Sequence, residues 1–128
     1  MHFYYFEGQR SFDKVVQIHP SLLPSYKGLH THERVLEDGV RFTGCTAHFV
    51  RAEMDAGPII AQAAVPVHPA DDADTLAARV LTAEHQCYPL ALKVVASRKA
   101  RVIGNRVKIE HASAPNIISL NPDDSEGG

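Results

Sequence analysis

Apolar and polar positions along the chain mark out short strands, turns and one long helix. Val15, Val16 and Ile18 form a β-branched run closed by Pro20, which predicts a short buried strand. Residues 20–29 hold two prolines, two serines and a glycine, so a loop follows. Thr31 is placed to cap a short helix through Asp38, with Gly39 as its stop and Val35 and Leu36 facing inward. Thr43 to Val50 reads as a strand, with Thr46, His48 and Val50 on one face and Cys45, Ala47 and Phe49 on the other. Ile59 to Val67 reads as a second strand, and the short link between the two predicts antiparallel pairing. Asp71, Asp72 and Asp74 crowd the start of a long helix, where carboxylates meet the positive end of the dipole. Its positions Leu76, Val80, Leu81, Tyr88, Leu92 and Val95 predict an inner face, and Arg98-Lys99 lies at its end. Pro89 falls inside this pattern and predicts a kink or a division in two. Arg101-Val102-Ile103 and Val107-Lys108-Ile109 flank Gly104-Asn105-Arg106, the pattern of a small hairpin. No internal repeat is present.

Composition narrows the class. A chain of 128 residues suffices for one domain with its own core. A hydrophobic fraction of 45% and a charged fraction of 22% are those of a soluble globular protein. The formal net charge of −2 gives no reason to expect nucleic acid or a membrane as partner. No apolar run approaches the length of a membrane span, and the aromatic start lacks the features of a signal peptide, so a cytoplasmic setting is expected. There the two cysteines, Cys45 and Cys87, far apart and at no metal or redox spacing, are expected as reduced thiols. The boundaries expected are an aromatic and charged segment without clear period over 1–14, a domain over 15–110 and a flexible polar tail over 111–128.

The candidate chemistry sits at two turns. His19 ends the first strand beside Pro20, and Asp55 lies in the turn Met54-Asp55-Ala56-Gly57-Pro58. A histidine and a carboxylate brought together make a proton-transfer pair. Taken singly, His19 reads as a loop histidine, Asp55 as a turn former and Glu84 as a solvated helix charge. His30 and His32 are one residue apart, and no third ligand at zinc spacing follows, so no metal site is expected.

Taken in order, five segments resemble the glycinamide ribonucleotide formyltransferases. They are Ile18-His19-Pro20-Ser21-Leu22-Leu23-Pro24, Gly28-Leu29-His30-Thr31-His32, Thr46-Ala47-His48-Phe49-Val50, Met54-Asp55-Ala56-Gly57-Pro58-Ile59-Ile60 and Ala83-Glu84-His85. The resemblance runs from about Val15 to about Ile109. It implies an α/β fold, the carboxyl-terminal half of a Rossmann-like formyltransferase, with a mixed sheet and a long helix. It implies transfer of a formyl group from the co-substrate 10-formyltetrahydrofolate to the amine of glycinamide ribonucleotide, in purine biosynthesis, without a metal. His19 is then the catalytic histidine and Asp55 the carboxylate that sets its charge. Ala56 and Gly57 lie against the folate pterin, Glu84 serves the nucleotide's amine end, and His48 supports the site. The family has asparagine two residues before the histidine, where this chain has Gln17, a longer amide donor. The family's amino-terminal half, with its Gly-rich phosphate loop, has no counterpart here. Two alternatives follow: an inactive truncated remnant, or a hydrolase of the formyl-folate. Such a half domain would expose a sheet edge suited to self-association.

Overall fold

The computed structural model describes residues 3–5, 15–51, 57–110 and 121. Strand β1 covers Phe3–Tyr5, β2 Val15–His19, β3 Phe42–Phe49, β4 Ile59–Pro66, β5 Ala100–Ile103 and β6 Arg106–Ile109. Helix α1 spans Thr31–Asp38 and α2 Ala73–Ala96. The strands form one six-stranded sheet in the order β1-β2-β3-β4-β6-β5. All neighbours are antiparallel except β4 and β6, which pair in parallel at Ile59 and Arg106. The sheet is therefore mixed, as expected.

Helix α2 packs along β3 and β4 and closes the core. Val16 and Ile18 of β2, Cys45, Ala47 and Phe49 of β3 and Ile60 and Val65 of β4 meet Leu76, Val80, Cys87, Ala91 and Val95 of α2. The inner stripe of α2 thus uses the small residues Cys87 and Ala91, which a search for large apolar side chains passes over. Leu81, expected inside, is 47% exposed. Burial of Thr46 and His48, on the opposite row of β3, shows that this strand is covered on both faces.

Several local expectations are corrected. Helix α1 is not capped by Thr31. His30, in the left-handed conformation and without a side-chain cap bond, is the capping residue, and Thr31 turns inward to 4% exposure. Gly39 ends α1 as expected, its N–H reaching the carbonyls of Val35 and Leu36. Pro89 does not divide α2, which runs unbroken across it. The proline cannot bond the carbonyl of His85, but both residues lie on the exposed side, where solvent is within reach of that carbonyl. Asp72 caps α2 in a reciprocal box with Thr75. Asp71 does more than start the helix. It holds Arg79 through two bonds of 2.6 and 2.8 Å, and Arg79 also donates to the Pro66 carbonyl at 3.0 Å. That set ties the end of β4 to α2.

Cys45 and Cys87, distant in sequence, face each other in the core as hydrogen-bonded free thiols. The bond to Cys87, and then burial, push the Cys45 thiol up. The outer side of β2 is partly covered, because β1 pairs with Val15, Val16 and Gln17. The expected tail, apart from residue 121, lies outside the described residues.

Candidate functional site

The site grows from the end of β2. Alternation puts Gln17 and His19 on the face away from α2, while Val16 and Ile18 enter the core. The register sets His19 opposite Thr46 and Gln17 opposite His48, so β3 lays a second polar row beside the first. Thr46 in turn stands opposite Gln62 of β4. Next to this row the pairing shifts: Ala47 meets Ala61 but His48 meets Ile59. The extra residue on β4 is a bulge, a common device for re-aiming side chains beside a site.

His19 is 1% exposed. Its Nε2 lies 2.9 Å from the carbonyl oxygen of Tyr26. A carbonyl only accepts, so Nε2 carries the proton. The opposite ring nitrogen, Nδ1, is buried and has no hydrogen-bond partner among the described residues. The loop over 20–29 is thereby folded back onto the histidine. Ser21, fully buried, donates to the carbonyls of Ser25 at 2.6 Å and Tyr26 at 3.1 Å. Thr46 donates to the Ser21 carbonyl at 2.7 Å and accepts from the Leu23 N–H at 3.0 Å. Gln62 donates through one amide nitrogen to the Leu23 carbonyl and to Thr46 Oγ1, both at 3.0 Å.

A cleft of about 210 Å³ opens at this point, lined by Ile18, His19, Pro20, Leu29, His30 and Glu84 among others. A second cleft of about 290 Å³ adjoins it through Ile18 and Glu84, walled by Leu81, His85, Tyr88 and Pro89. The structure therefore brings Glu84 to the same cleft as His19. His48 is fully buried on β3, its Nδ1 donating to the Phe49 carbonyl at 2.9 Å. Asp55 and Ala56 lie outside the described residues. Gly57 is described, and its role there is steric: a Cβ would collide with the carbonyl oxygen of Phe49, whose N–H bonds the Pro58 carbonyl at 2.9 Å. Arg51 donates to Asn105 Oδ1 at 3.2 Å and to the Gly104 carbonyl at 3.0 Å, joining the loop's start to the β5–β6 turn.

A profile of the formyl transferase family matches residues 9–92. The chain belongs to the formyl transferase family. Within that family, it is 57% identical over 89 residues to the chicken trifunctional purine biosynthetic protein adenosine-3, covering 70% of this chain and 9% of that protein. It is 43% identical over 102 residues to phosphoribosylglycinamide formyltransferase of Escherichia coli, covering 80% of this chain and 48% of the other. Among solved structures it resembles the phosphoribosylglycinamide formyltransferase of Anaplasma phagocytophilum, with a TM-score of 0.76 and 48% identity over 80% of this chain and 50% of that one. The chain spans about half the length of these bacterial relatives. The α/β, mixed-sheet expectation agrees with that structural likeness.

Other titratable groups are secondary. His32 is half-buried, and burial pulls its pKa below the ordinary value against the opposing charge of Glu33. The Tyr26 hydroxyl donates to Asp38 at 2.7 Å, which pushes the phenol up. Among the described residues, no group of three metal-ligating side chains comes together, and no helix is long and apolar enough to cross a membrane. The loop-anchoring residues Ser21, Thr46 and Gln62 were not singled out from sequence. The signal was Gln62, the one polar side chain in β4, which the hairpin register sets opposite Thr46.

Proposed function

We propose that this chain carries the formyl-transfer centre of a phosphoribosylglycinamide formyltransferase, with 10-formyltetrahydrofolate as donor and glycinamide ribonucleotide as acceptor. The observation that carries the reading is the state of His19. Its Nε2 proton is committed to the Tyr26 carbonyl, so proton exchange with substrate falls to Nδ1. The cleft fits an amine and a planar acyl carrier. Glu84 offers a carboxylate for an ammonium group, and Ile18, Pro20 and Leu29 supply apolar wall.

Formyl-folate supplies a formyl carbon already bonded to nitrogen. Attack by the acceptor amine places negative charge on the formyl oxygen. A protonated His19 donates to that oxygen from Nδ1, and the Gln17 amide on the same strand face is the second donor. The carbon–nitrogen bond to the donor then breaks. The leaving nitrogen takes up one proton and the acceptor amine gives up one, so protons balance. Asp55 acts as the carboxylate that favours the cationic imidazole. Ala56 and Gly57 belong to the donor's binding loop, and His48 buttresses Gln17 from the neighbouring strand. A cytoplasmic address, where Cys45 and Cys87 stay reduced, goes with this reading.

The test is formyl transfer by the purified chain, followed as release of tetrahydrofolate in the presence of the nucleotide. His19→Asn lowers kcat by about a hundredfold to ten-thousandfold, and Asp55→Asn lowers it as well. A folded wild-type chain that transfers nothing at saturating substrates refutes the proposal. Formate release without the nucleotide would assign hydrolysis instead.

A further inference from the structure

Gln62 lies on β4, two strands away from His19, and no part of the transfer chemistry requires it directly. It is exposed at its backbone position, yet its amide turns inward. One nitrogen of that amide donates to two acceptors, the Leu23 carbonyl and Thr46 Oγ1, both at 3.0 Å. Thr46 Oγ1 has one proton and two lone pairs. The proton goes to the Ser21 carbonyl, and the lone pairs take the Leu23 N–H and the Gln62 amide. The hydroxyl is therefore fully used, and Gln62 fixes which way it points. With the Gln62 donor removed, the Thr46 hydroxyl keeps its bonds to the Ser21 carbonyl and the Leu23 N–H but loses the third that narrows its direction.

Ser21 stands at the other end of this chain of bonds. Its backbone carbonyl is held by Thr46, and its side chain shares the Tyr26 carbonyl with His19 Nε2. The line of contacts runs from Gln62 to Thr46, to Ser21, to the Tyr26 carbonyl and to the imidazole. Each link is a hydrogen bond between described residues, and the row His19–Thr46–Gln62 follows directly from strand register.

We infer that Gln62 is a positioning residue for His19: it orients the Thr46 hydroxyl, which holds the Ser21 carbonyl, and so sets the Tyr26 carbonyl that fixes the imidazole's tautomer and angle. The inference rests on the proposed role of His19 in transfer. A small misplacement of a catalytic group far from the mutated site lowers turnover strongly. Substrate binding involves other walls of the cleft, so the effect falls on kcat rather than KM.

Two variants test this. Gln62→Glu keeps the shape and removes both N–H donors, and Gln62→Leu removes all polarity. Both alter an exposed strand position, and their thermal midpoints report whether the fold persists. In each, solvent exchange of the His19 Nε2 proton, followed by NMR of the imidazole N–H, speeds up by about fivefold to tenfold, the restraint of one hydrogen bond. In the transfer assay, kcat falls about tenfold or more while KM for both substrates holds. Unchanged proton exchange overturns the inference, as does a rise in KM at constant kcat, which would make Gln62 a binding residue. The NMR measurement needs no turnover. A chain that transfers no formyl group removes the proposed function, and the exchange rate still decides whether Gln62 holds His19.

Discussion

Replacing Thr46 by valine tests how the loop over 20–29 is fastened. The side chain is fully buried and its hydroxyl makes three hydrogen bonds. Valine fills nearly the same volume but offers neither donor nor acceptor. Two backbone groups, the Leu23 N–H and the Ser21 carbonyl, then lose a buried partner. Each such orphan costs about 1.5 kcal/mol, giving about 3 kcal/mol together. Gln62 is exposed, and water replaces its lost bond, so it adds little. For a chain of 128 residues the unfolding entropy is about 0.27 kcal/mol/K, so the midpoint falls by about 11 °C. Thr46→Ser is the control. It keeps the hydroxyl and removes one methyl, which costs about 1 kcal/mol, or about 4 °C. Differential scanning calorimetry of the wild type and both variants measures this. If Thr46→Val melts at or above Thr46→Ser, the hydroxyl does not fasten the loop and the reasoning fails.

Two further outcomes follow from the same geometry. Gly57→Ala drives a methyl into the Phe49 carbonyl and opens the Phe49–Pro58 pairing, lowering stability by about 2 kcal/mol in urea unfolding; an unchanged midpoint would contradict the close approach. The Arg79 guanidinium beside Asp71 holds its carboxyl well below the usual carboxylate range. Because the folded pKa is depressed, this stabilisation is present above the unfolded value of about 4 and is lost as pH falls through the folded value. The stability gap between wild type and Asp71→Asn therefore narrows between neutral pH and pH ~3, and a gap that stays constant would show that the pair is not linked to pH.

Much of the fold was legible because its strands carry strong local signals. The β-branched run of β2, the alternation in β3 and β4 and the carboxylates before α2 each fixed an element to within a residue or two. What was not legible depended on tertiary placement. Thr31 looked like a cap until the core claimed its side chain, and His30 took the left-handed position instead. Leu81 looked like core, but the cleft lies where that face would have found a neighbour. The pairing of Cys45 with Cys87 is a matter of how α2 crosses β3, which no spacing encodes. For the candidate site, His19 and Glu84 were singled out through family likeness, and the structure brings both to one cleft. The fastening of His19 was hidden because it uses backbone carbonyls and residues on three strands. A pattern read along one strand does not reveal a row that runs across them.

The joint between Arg51 and the β5–β6 turn has a consequence for how the molecule breathes. The hairpin's ladder to the rest of the sheet is a single parallel pair, Ile59 with Arg106. Arg51 supplies a second tether from a different strand end, through the turn residues Gly104 and Asn105. Local opening of that hairpin thus breaks the two Arg51 bonds to the turn at the same moment. Fluctuations of the carboxyl-terminal ribbon and of the chain that leaves β3 then belong to one cooperative unit.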